Sequence, residues 1–94
     1  MINAPAHKLL TMARNASGRA LHVREGLAPT NVHRVHAARS ACTSMIRSCK
    51  RKIVEIECST YLPENREARE DLADLNSALC HLDIAARFWA EYDC

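Results

Sequence analysis

Apolar residues recur along the last third of the chain at alternating steps of four and three: Ala68, Leu72, Leu75, Leu79, Leu82, Ala86 and Trp89. A helix turns about 100° per residue, so this spacing lines one face and predicts a helix over about residues 63–92. Pro63 suits its first turn, and Glu64 and Glu67 face the positive end of its dipole. A second run, Val32, Val35, Cys42, Ile46, Cys49, Ile53 and Ile56, keeps a heptad seam interrupted only at Arg39. It predicts a helix over about 30–60, with Thr30 or Asn31 as its N-cap and no Gly or Pro between Pro29 and Pro63. The N-terminal segment has a thinner stripe of Leu9, Met12, Ala13, Ala16, Ala20 and Val23. It predicts a helix over about 4–25, capped by Asn3, with Pro5 in the opening turn and Gly26 at the end. Ser17-Gly18 interrupts that stripe, and a kink is expected at Gly18.

The fold class that follows is all-α. The short connection around Tyr61-Leu62-Pro63-Glu64 makes the two long helices double back, giving an antiparallel helical hairpin with a shorter N-terminal helix, one helical domain over 1–94. A chain of 94 residues buries a limited core, so self-association, most simply as a homodimer, is expected.

Charge changes this picture. The net charge is only +2, yet residues 1–53 carry ten Lys or Arg against the single acid Glu25, and residues 54–94 carry ten Asp or Glu against Arg66, Arg69 and Arg87. In the hairpin register Arg47, Lys50, Arg51 and Lys52 come near Glu70, Asp71 and Asp74. Each exposed pair would contribute only about 0–1 kcal/mol. Arg39, Arg47, Lys50 and Arg51 also share one flank of the second helix, and Arg14, Arg19 and Arg24 form a stripe on the first. That footprint makes a small nucleic-acid-binding regulator the alternative to a protein-binding role. The Leu27 to Arg39 region matches a helix-turn-helix only loosely, because the helix that follows is too long for a usual recognition helix.

The third helix carries more apolar surface than a hairpin needs. Cys80, Ile84 and Phe88 follow one another at i, i+4 and i+8, with His81 and Tyr92 beside them, on a face roughly opposite the Leu seam. Either the first helix covers this face, or it binds a second copy or another protein. Cys80, His81, Ile84, Phe88, Trp89 and Tyr92 are therefore the candidate contact residues, the aromatic ones being common interface anchors. Arg39, Arg47, Lys50 and Arg51 form a secondary electrostatic patch.

Catalytic and cofactor chemistry finds no foothold in the motifs. With only Gly18 and Gly26, no Gly-rich phosphate loop exists. No C-x-x-C occurs, and His33, His36, Cys80 and His81 could ligate a metal only by assembling across helices. Cys42 and Cys49 sit on the seam, while the more accessible Cys58, Cys80 and Cys94 have no oriented base in sequence. Glu70-Asp71 and Glu55-x-Glu57 read as solvated faces. A non-enzymatic protein without cofactor or metal is expected. The five Cys, with no secretory signal and no apolar run near the roughly 18 residues of a spanning helix, point to a soluble cytoplasmic protein.

A compact, Ala- and Arg-rich chain beginning Met1-Ile2-Asn3-Ala4-Pro5-Ala6-His7-Lys8, with a helical hairpin and no catalytic motif, resembles the small helical accessory proteins of bacteriophages. These include anti-CRISPR proteins and antagonists of host regulators. The resemblance implies stoichiometric inhibition, in which one exposed helical face occludes a host protein.

Overall fold

The computed structural model describes residues 5–58 and 65–92. Three helices follow one another: α1 over Ala6–Arg24, α2 over Val32–Glu57 and α3 over Arg66–Glu91. The architecture is all-α, a three-helix bundle measuring 47 × 21 × 18 Å. Its long dimension follows from α2 and α3, whose 26 residues each span about 39 Å at 1.5 Å per residue. Asn3 and the predicted connection Tyr61-Leu62-Pro63-Glu64 lie outside the described residues.

Local chemistry sets the helix ends. Asn31 and Asn65 cap α2 and α3, each side-chain oxygen accepting from a backbone N–H three residues on, at Arg34 (3.0 Å) and Ala68 (3.1 Å). Pro5 occupies the position before α1 and supplies no side-chain cap. At the other end of α1, Gly26 adopts φ 76°. There the Leu27 N–H donates to the His22 carbonyl (2.8 Å) and the Gly26 N–H to that of Val23 (3.1 Å). This is a Schellman closure, which needs a left-handed residue and so favours glycine. Gly18 behaves differently. α1 runs through it as one helix from Ala6 to Arg24.

α2 and α3 are antiparallel: Val35 and Cys42 near the start of α2 pack with Trp89, while Met45 and Cys49 pack with Leu75. α1 lies parallel to α3, its first turns sharing a cluster with Leu75, Ala78 and Leu82, and Ala20 sharing one with Ala85 and Trp89. α1 packs far more extensively on α3 than on α2. The cause is visible in the buried residues. Ala6, Ala13 and Ala20 recur every seven positions on α1, and Ala78 and Ala85 do so on α3, all nearly inaccessible. Helices meeting through alanine approach near the short end of the usual interaxial range of about 8–10 Å.

The predicted seam positions other than Val32 are divided between buried and half-buried, and the additions to the core follow from α3 touching two neighbours. Leu75, Leu82 and Trp89 are core, but so are Ala78 and Ala85, which a two-helix seam leaves out. Leu10 and Met45 join the core for the same reason, whereas Val32, at 46% exposure, sits beyond the packed part of α2. Among the described residues every buried side-chain nitrogen or oxygen has a hydrogen-bond partner.

The two glycines should respond oppositely to alanine. A Cβ on Gly18 meets nothing within 4 Å, so Gly18→Ala is expected to stabilise the protein by about 0.5–1 kcal/mol. Gly26→Ala forces a side chain into the left-handed region and should cost about 1 kcal/mol. Urea unfolding followed by circular dichroism measures both.

Candidate functional site: the groove between α1 and α2

Because α1 is drawn onto α3, it stands away from α2, and a groove opens between them. One section, of about 510 Å³, is bordered by Arg19, His22, Arg34, Ala37 and Pro29. A second, of about 240 Å³, continues past Met12, Asn15, Ala16 and Met45. Arg19, Ala38, Ala41 and Trp89 line both, so the two sections form one trough. From Met12 to Val23 it follows about 16 Å of α1, or three helical turns. Alanine is the commonest residue in its walls, and its floor is the indole of Trp89, 4% exposed.

The floor is fixed by an unusual partner. Arg39 interrupts the α2 seam, and its guanidinium reaches across to the C-terminal end of α3. Nε donates to the Trp89 carbonyl (2.7 Å) and Nη2 to the Tyr92 carbonyl (3.1 Å). The last carbonyls of a helix have no partner within it and carry its negative dipole end, so a half-buried cation there satisfies two acceptors at once. Arg39 is thus a C-terminal clamp for α3 and is drawn away from the basic flank formed by exposed Arg47, Lys50 and Arg51. Phe88, Trp89 and Tyr92 close the same end as an aromatic cluster, with the Phe88 and Trp89 ring centroids 4.8 Å apart at 73°.

The rim of the trough is basic. Arg19, His22 and Arg34 border it, and no Asp or Glu does among the described residues. The Nη1 of Arg34 donates to the Pro29 carbonyl (3.4 Å), anchoring its side chain across the α1–α2 connection.

The contact residues predicted on α3 are split by α1. His81 is half-buried against it, with Nδ1 3.3 Å from Ser17 Oγ. Ser17 Oγ also lies 3.1 Å from the Arg14 carbonyl, to which its hydroxyl can donate. Phe88 and Tyr92 are half-buried against the second core cluster, and Trp89 lies within it. Cys80 and Ile84 point outward, Ile84 at 61% exposure. Sequence reasoning missed the trough itself. Its one signal was the Ala37-Ala38 and Ala41 cluster on α2, off the seam. What makes those alanines a wall is the position of α1.

Nucleophilic chemistry has little support from the thiols. Burial pushes the Cys42 and Cys49 thiols above their ordinary value of 9.0. Cys58 and Cys80 are free and exposed. Among the described residues no three His, Cys, Asp or Glu side chains converge as a metal site would require, and no helix is long and apolar enough to cross a membrane. Compared with protein-family models, curated proteins and solved structures, the chain matches none of them.

Two outcomes test this geometry. Arg39→Met removes both clamp bonds and leaves the α3 carbonyls unpartnered. A loss of about 2 kcal/mol in stability is expected, together with a red shift in the fluorescence of Trp89, the sole tryptophan. The raised thiols make the second. Above 9.0 the unfolded chain releases protons that the folded one retains. Stability from Cys42 and Cys49 is therefore fully present below that value and falls as pH rises past it toward the folded pKa. Cys42→Ala with Cys49→Ala should flatten the alkaline decline of the denaturation midpoint.

Proposed function

We propose that this chain is a non-enzymatic protein-interaction module that takes an acidic amphipathic helix of another protein into the α1–α2 trough. The observation that carries the proposal is the pairing of an alanine-walled, Trp-floored trough with Arg19 and Arg34 at its rim and no acidic side chain among the described residues that line it. Small wall residues let an incoming backbone come close, as they do between α1 and α3. A buried aromatic floor supplies the kind of anchor surface on which interface energy concentrates. Arg19 and Arg34 would steer and register acidic flanks. Three turns of helix match the length of the trough.

Such a module would act by occlusion, holding a segment of its partner against α3 so that the segment is withdrawn from other contacts. That is the mechanism implied by the resemblance to small phage-encoded inhibitors, with a host protein as the target. The apolar walls favour a peptide helix over nucleic acid, whose phosphates would meet alanine along most of the trough.

Fluorescence titration of Trp89 with a synthetic acidic amphipathic peptide of about four turns, slightly longer than the trough, tests the proposal. Saturable binding is expected. It should weaken at least about tenfold, or about 1.4 kcal/mol, in Ala41→Phe, which fills the trough from an exposed position, and in Arg19→Glu with Arg34→Glu. A lysine-substituted version of the peptide should not bind. A salt-sensitive response to a mixed-sequence duplex, with none to the peptide, would replace this reading with the nucleic-acid one.

A further inference from the structure

A second surface lies on the other side of α1, where it meets α3. Ile84 is 61% exposed and Leu21 43%, and between them runs a shallow groove of about 310 Å³ with Ala20 and Phe88 in its walls. Large aliphatic side chains left this open on adjacent helices form a continuous apolar strip, unlike the scattered Val54 and Leu27. The rim differs from that of the trough in one decisive respect. It carries both signs, with Arg24 and Arg87 alongside Glu91 and, paired to Arg87 at 3.2 Å, Asp83.

From this contrast we infer that the Leu21–Ile84 strip is a two-fold interface with a second copy of this chain. In an isologous contact the same patch meets itself, so each rim charge must find its opposite within the same patch. With Arg87 paired to Asp83 inside each copy, Arg24 and Glu91 are left to meet their opposites across the two-fold, and the Arg19, His22 and Arg34 rim of the trough has no such pair. Each copy also supplies both halves of the fit, an Ile84 ridge and a groove beside it to receive the partner's ridge. Packing by alanine leaves each protomer with little buried volume, and dimerisation adds the apolar contact that a small chain otherwise lacks. The two surfaces lie on opposite sides of α1, so a dimer joined here leaves both troughs open.

Light scattering over about 1 μM to 1 mM, the window of modest interfaces, tests this on the full chain. The mass should rise from one chain to two. Ile84→Asp should raise the dissociation constant at least about tenfold with unchanged helical circular dichroism. Leu21→Lys, on the other helix, should do the same. A single-chain mass at the highest concentration would overturn the inference. So would a dimer that persists in both variants, or one lost in Ala41→Phe and retained in Ile84→Asp, which would move self-association into the trough.

Discussion

The close docking of α1 on α3 governs everything else in this bundle. It rests on alanines spaced by seven residues on both helices, a pattern that removes side-chain bulk from one stripe and lets the backbones approach. An evenly packed three-helix bundle would bring α1 equally onto both neighbours. Here the alanine stripe spends α1 on α3, and α2 is held instead by its own contact with α3 through Val35, Cys42, Met45 and Cys49. The trough between α1 and α2 is the consequence. α3 serves as the spine of the molecule, and its Trp89 is simultaneously core residue and trough floor.

A spine helix loaded from two sides needs a fixed end, and Arg39 provides it. A cation in a hydrophobic seam is normally costly, because burial strips its hydration. Two short bonds to helix-terminal carbonyls offset that cost, and the same bonds hold the segment that carries Trp89 and Tyr92. The position that spoils the α2 heptad is therefore the one that ties α2 to the end of α3. The His81–Ser17 bond plays a lesser version of this part between α3 and α1.

Charge then separates the two exposed surfaces. The +9 and −7 halves of the sequence suggest a hairpin held by cross-helix pairs; the exposed pairs Arg66–Glu70 and Arg87–Asp83 run within α3 at i, i+4. Pairs so exposed contribute little to stability. The two surfaces differ in rim charge: Arg19 and Arg34 stand over the trough, and the Leu21–Ile84 strip has a mixed rim. The proposed partner binding and the proposed self-association would thus draw on different electrostatics.

The sequence by itself determined the helices, because heptad spacing and capping are local. The Leu75, Leu82, Val35 and Cys42 positions are buried where their periodicity puts them, and Asn31 and Gly26 end segments as their chemistry requires. It also determined that α3 has more apolar surface than one neighbour can cover. Only the tertiary structure decided which neighbour covers it. Ala13 and Ala20 lie on the α1 stripe without showing which neighbour they meet, and Ala78 and Ala85 carry too little hydrophobicity to announce a contact, since their importance is the closeness they permit and not the area they bury. Arg39 likewise reads as a surface charge until a helix end 50 residues away arrives to receive it. The trough needs both facts, so no stretch of sequence contains it.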